Sequence, residues 1–448
     1  METTARFYLE RMRLQIERAK RSHFPGASDV PARWLAYIDG KLKTAELGLN
    51  GLKDLPSDAR TDLQAEWLLT RILSCDEDLD VLARADTTQV ADFVVTALMR
   101  WFKAVDHTSE YLFTSDNVFE VSQLFEDNLQ EAEATHPDHI EAIRRLGKTV
   151  YRIRMPGGAL GTALHVPLVA HEVGHVLIFA FLEEIESEIA PFCAELGEEQ
   201  AEILTNWIVE IVADTICGFV AGPAGFFALH EKLRGNNVPD ENYPQNYVRT
   251  SSLAYFVHRK YKSVFAANKV RKADWKDWAI RSDADLLTEI EEHSDYANLS
   301  RRLIEALPQI RDIASKFARI HIPDLEYLPA RYAADLEMHL ESFLFAIPPF
   351  ETDGDLRSRK PTELASILNV AWFIAAFRLD KLRIKVADVA DKKGKLLVAL
   401  DQLILKAIEL SELRRQWEDD DERPSTQETA RTPDGEGSGK TSRRRTSA

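Results

Sequence analysis

The chain has 448 residues, too many for one compact core, so it is expected to divide into two or three packed units. Hydrophobic residues make up 45% and charged residues 29%, a balance that excludes a largely disordered or membrane-embedded chain. Seventy-three acidic against 56 basic side chains give a formal charge of −17, which repels a phosphate backbone, so no nucleic-acid partner is expected.

The start, "METTARFYLERMRLQIERAK", interleaves charge with apolar residues at helical spacing and lacks the apolar core of a secretory signal, which predicts a retained helix in a cytoplasmic protein. Residues 1–146 read as an N-terminal helical region broken by the turn signals "FPGASDVP", "NGLKDLPSD" and "THPDH". Pro137 and Asp138 mark a helix start there, and Gly147 its stop. "TVYRIRM", residues 149–155, sets Val150, Ile153 and Met155 among basic and β-favouring residues, and is the best strand candidate in the chain. As an edge strand it could pair with an extended substrate backbone; a minor hairpin strand is the equal alternative.

"VPLVAHEVGHVLI", residues 166–178, carries His171 and His175 four positions apart with Glu172 beside the first. On a helix, residues i and i+4 share a face, so both imidazoles can aim at one point, while Glu172 can reach a metal-bound water without ligating the metal. Two partly buried histidines with backbone partners are the bland alternative. The apolar stretch "NWIVEIVADTICG", residues 206–218, places Glu210 and Asp214 on one stripe of a second helix. With Ile208, Val209, Ile211, Val212 and Ile216 calling for burial, both carboxylates would leave water and need a cation or a hydrogen-bonding partner. A zinc ion would answer the need of Glu210, and the free N–H of a ligating histidine that of Asp214. Salt bridges or solvent exposure would otherwise account for the pair.

"HEVGH" and "EIVAD" together resemble the gluzincin class of zinc metallopeptidases, in which HExxH is followed on a later helix by a glutamate ligand and an acid four residues on. "YPQNYVR", residues 243–249, is similar to the His-Pro-x-x-x-x-Arg element of membrane peptidases that process prenylated or heat-shock substrates, with Tyr243 in place of the histidine and Arg249 at the arginine. The resemblance spans His165 to Arg249. It implies a small zincin-like catalytic core with a short strand or minor sheet, Zn2+ as cofactor, and His171, His175 and Glu210 as its ligands. It further implies Asp214 behind a ligating histidine, Glu172 as general base, Tyr243 as a donor to the oxyanion, and Arg249 anchoring the loop or the carbonyl site. The substrate would be a protein or peptide. "GFVAGPAGFFAL", residues 218–229, is similar to bacterial HExxH proteins with a Gly-Pro after the acidic helix.

Nearby residues have plainer readings: His165 packs the loop before the motif, His258 is a helix histidine, and the acidic run at 183–188 is a solvated face. The core is bounded as 147–263. Beyond it, 264–417 reads as a C-terminal helical region, with helices at 361–379, opened by Pro361, and at 394–415, where Leu396, Leu400, Leu403 and Leu413 form a stripe. "LASILNVAWFIAAF", 364–377, is the longest apolar run and too short to cross a bilayer, so no membrane span is expected. The polar, Pro/Gly/Ser-rich residues 418–448, ending "SRRRTSA", are expected to form a disordered tail. Cys75, Cys193 and Cys217 have the spacing of neither a disulfide framework nor a thiolate zinc site and should be reduced thiols.

The expected fold is therefore a mainly α, multi-helix protein with a minor sheet. The expected function is a zinc metalloendopeptidase. Its alternatives are a zinc-bearing regulatory or sensor module and a metal-free helical scaffold.

Overall fold

The computed structural model describes residues 2–24, 30–53, 59–85, 91–116, 119–124, 149–156, 163–234, 238–271, 274–275, 278, 281–290, 296–348, 361–384 and 391–422. The protein is mainly α-helical with one small mixed sheet, as expected. The helix ending at Gly147, the loop "PGGALG" beyond its proline and residues 423–448 lie outside the described residues.

Helices α1 (Glu2–Ala19), α2 (Val30–Leu52) and α3 (Ala59–Arg84) pack into a bundle with a core of its own. Leu9, Met12 and Ile16 follow the helical period on α1 and meet Trp34, Ile38 and Leu42 of α2 and Ile72 and Leu82 of α3. The bundle is pinned by the largely buried pair Lys41–Asp78 at 2.8 Å and by Trp34, whose indole N–H donates to the Asp78 carbonyl. Cys75 is buried beside this pair, and burial pushes its thiol up to about 12. All three cysteines are free thiols.

After α4 (Asp92–Val105) come β1 (Glu110–Asp116), β2 (Glu120–Leu124) and β3 (Val150–Pro156), in the order β1-β3-β2. The strands β1 and β2 were not anticipated, and they correct the reading of 149–155. β3 is the central strand, parallel to β1 and antiparallel to β2, so both its edges are occupied, and β2 is the outer strand among the described residues on the side of the HExxH helix. The period of two splits the side chains between two cores. Tyr111 and Phe113 of β1 and Tyr151, Ile153 and Met155 of β3 enter the main core, whereas Leu112 and Val150 enter the α1–α3 core. Val150 thus points away from Ile153 and Met155. The N-terminal region accordingly divides, with α1–α3 as one unit and α4 packed in the main core.

The main core surrounds α7 (Glu198–Val220), on which all but Val209 from Trp207 to Val220 are buried. Against it pack α5 (Val169–Ala180), α6 (Leu182–Cys193), α8 (Pro223–Lys232), α9 (Asn246–Ala267) and α11 (Ala297–His321), the last preceded by the short α10 (Asp283–Thr288). The Gly-Pro between α7 and α8 is a structural turn. Gly222 has φ +63 and ψ −146, and a Cβ there would strike the Tyr327 ring, so only glycine fits. Pro223 then opens α8, whose first N–H groups are met from α13 (Leu364–Phe377) by Asn369, which accepts from Ala224 N at 2.9 Å.

The stretch Ala163–Ala180 and α7 are both long and apolar enough to cross a membrane, exceeding the 364–377 run, but 78% and 83% of their apolar windows are buried in the protein. They are core helices by packing. α13 begins at Leu364, three residues after Pro361, with Glu363 at the N-cap. The last helix, α14 (Lys392–Glu422), continues beyond Trp417 into the expected tail. Of its leucine stripe, 396, 400 and 403 are buried, while Leu413 is 39% exposed.

On α12 (Pro329–Leu344) His339 is 1% exposed and neither ring nitrogen has a hydrogen-bond partner among the described residues. Burial lowers its pKa below the ordinary imidazole value of 6.5, with Asp335 one turn earlier opposing only in part. α13, packed alongside, contributes no charged residue. The imidazole is therefore neutral in the folded chain, and its contribution to stability is whole above pH 6.5 and lost as pH falls through the depressed folded value. His339→Leu is expected to gain on the wild type below pH 6.5, by up to about 1.4 kcal/mol per pH unit, in urea titrations at a series of pH values.

Candidate metal centre

The centre is built where α5 and α7 cross. Their backbones touch at Gly174, the fourth residue of "HEVGH", where a Cβ would lie 2.9 Å from Ala213 Cα, too close for any side chain. This contact brings the histidine face of α5 onto the carboxylate stripe of α7. The run-up to α5 is fixed from the far side by α13 and α14: Trp372 Nε1 donates to Leu164 O at 2.7 Å, and Asp401 accepts from Leu164 N at 3.1 Å.

His171 Nε2 and His175 Nε2 are 3.0 Å apart, and Glu210 offers Oε2 to the first at 3.4 Å and Oε1 to the second at 3.3 Å. Donors at metal–ligand distances of about 2.0–2.1 Å on a tetrahedral ion stand roughly 3.3 Å from one another. One ligand atom from each of the three residues lies within 4.8 Å of the others, so the group could hold a metal ion. His171 and Glu210 are buried and His175 half-buried, so the face opens on the His175 side. Glu210 Oε2 is buried, with no aligned hydrogen bond but with the Arg249 guanidinium at 3.0 Å.

Asp214, fully buried, places Oδ1 2.9 Å from His171 Nδ1. Asp214 thus lies behind His171 at ion-pair distance, though off hydrogen-bond alignment with Nδ1, while Nε2 turns to the donor set. Arg249 lies on α9 and is buried. Its Nε and Nη2 donate to the two Asp214 oxygens at 2.9 and 2.8 Å, and Nη1 is 3.0 Å from Glu210 Oε2. The guanidinium clamps the two acids together. Among Glu210, Asp214 and Arg249 one negative charge remains uncompensated.

These neighbours set the ionisation of the group. Burial, the largest influence, raises both carboxyls, but Arg249 and His171 together, with His175 added at Glu210, outweigh it and hold Glu210 well below the usual range and Asp214 below it. Burial depresses His171, yet Asp214 and Glu210 prevail and push it up to about 10, so that without an ion a proton takes the cation's place. Glu172 is 3% exposed and raised by burial, with the two histidines opposing. Its carboxylate is not among the clustered donors.

Tyr243 is 47% exposed at the rim, with the Arg249 guanidinium 5.6 Å from its ring centre. Its phenol is raised by burial and by Glu210. The loop carrying it is tied down through Asp240, whose Oδ1 accepts from Tyr243 N at 2.8 Å and whose carbonyl accepts from Trp207 on α7 at 2.8 Å. His165 is half-buried in the 3-10 turn before α5, and His258 sets its ring edge against Trp275; neither joins the donor set. Glu183, Glu184, Glu186 and Glu188 are exposed, with Ile185 and Ile189 facing inward.

Two features escaped the sequence reading. Arg249 buries its charge on both acids, for which the sequence around it held no local signal. Phe179, one turn beyond His175, stands exposed beside the centre.

No protein-family model matches the chain, and neither does any curated protein or solved structure.

Proposed function

We propose that the protein is a zinc-dependent peptidase that hydrolyses protein or peptide substrates at the His171–His175–Glu210 centre. The observation that carries this is the placement of a fourth group: Glu172 sits beside the donors but outside them, a position with no use in a purely structural site. Two imidazoles and one carboxylate on one face, with the half-exposed side open, are the donor set and coordination number of catalytic zinc. Zinc bound there supplies a Lewis acid that polarises a carbonyl and makes water acidic enough to attack near neutral pH.

Each side chain then has a task. Asp214 holds His171 in the tautomer that leaves Nε2 free, and Arg249 keeps both acids ionised and in register. Glu172 takes the proton of the attacking water and passes it to the departing amine. Tyr243, at the rim, donates its O–H to the oxygen on which negative charge develops.

Protein purified without chelator is expected to hold one zinc per chain by elemental analysis and to cleave denatured casein. Stripping the metal abolishes cleavage and added zinc restores it. Zinc-free protein, or cleavage indifferent to stripping, would overturn the proposal.

A further inference from the structure

We infer that Phe179 determines specificity, forming the wall against which an apolar side chain of a peptide substrate packs beside the scissile bond; this rests on the peptidase reading above. His171, His175 and Phe179 follow one another at i, i+4 and i+8 on the same face of α5. Their rings form a continuous ridge. The His171 and His175 centroids are 4.6 Å apart, and Phe179 lies parallel to His175 within 25°, its centroid 6.3 Å away.

Exposure rises along that ridge, from buried His171 through half-buried His175 to Phe179 at 44%. The gradient marks the direction in which the centre opens. The other large apolar residues of this turn, Val176, Leu177 and Ile178, are all buried in the core, so Phe179 is left outside by its place on the helix and not by any shortage of interior room. Leu182, also 44% exposed, follows at the start of α6. An apolar rim beside convergent polar groups is the composition of a ligand cleft. A side chain that adjoins a carbonyl at the centre and leaves on the His175 side would lie over this ring, and an apolar one gains by covering it.

The test uses full-length, zinc-loaded protein and two hydroxamates differing only in a benzyl or a methyl group next to the chelating unit, titrated calorimetrically. The wild type is expected to prefer the benzyl compound by at least about tenfold. In Phe179→Ala the preference should fall to within a factor of two, with zinc content and methyl-hydroxamate affinity unchanged, and Phe179→Leu should restore part of it. No preference in the wild type, or one that survives in Phe179→Ala, overturns the inference while leaving the peptidase reading intact. Protein that takes up no zinc, or binds neither hydroxamate, overturns both. Loss of the peptidase reading alone appears as the benzyl preference without any cleavage of casein.

Discussion

Glu172→Gln is expected to keep its zinc and its fold while peptide hydrolysis falls by a factor on the order of 10²–10⁴, the usual contribution of a positioned general base. Glutamine matches glutamate in shape, and the residue contributes no atom to the donor cluster, so metal content should stay at the wild-type level. What is lost is proton acceptance. The carboxylate is buried and couples electrostatically to His171, His175 and Glu210, and the amide cannot take up a proton at working pH. Cleavage at the wild-type rate by the metal-loaded variant would remove Glu172 from the mechanism, and loss of zinc would recast it as a ligand.

Arg249→Met is expected to cost about 3–5 kcal/mol of stability in metal-free protein, because it leaves two buried carboxylates without their cation. Methionine fills much of the arginine stem's volume, so the change probes charge more than packing. Zinc should recover part of the loss by neutralising Glu210, and its affinity should drop about 10- to 100-fold as Asp214 loses the clamp that aims it at His171. Urea unfolding with and without zinc measures both. An equal loss in the two states would mean that arginine and ion do not share the same charges.

The donor set was readable because it depends on local geometry. Spacing of four on a helix aligns His171 with His175 and Glu210 with Asp214 whatever the tertiary fold, and the apolar surroundings of the second pair announced buried acids in need of a partner. Which partner each acid takes depends on how three helices pack. Asp214 was foreseen behind a histidine and is found there, but its bidentate partner comes from α9, and nothing local to Arg249 distinguishes a clamp from a substrate contact. The sheet was half legible. "EYLFTSD" has β-favouring aromatics after a turn and could have been read as a strand, whereas "EVSQL", with Val121 and Leu124 at a helical interval of three, becomes β2 only by pairing with β3. That pairing also moved β3 from edge to centre. α13 reads as a buried helix from its unbroken apolar run, and it is one.

Because a hydrogen atom at position 174 lets α5 rest directly on the backbone of α7, the spacing of the donors is set by main-chain packing deep in the molecule. A metal ion bound there, as proposed, would meet donors whose spacing the main chain already sets, in contrast to small domains that fold around their metal, and would tighten the molecule by mass action.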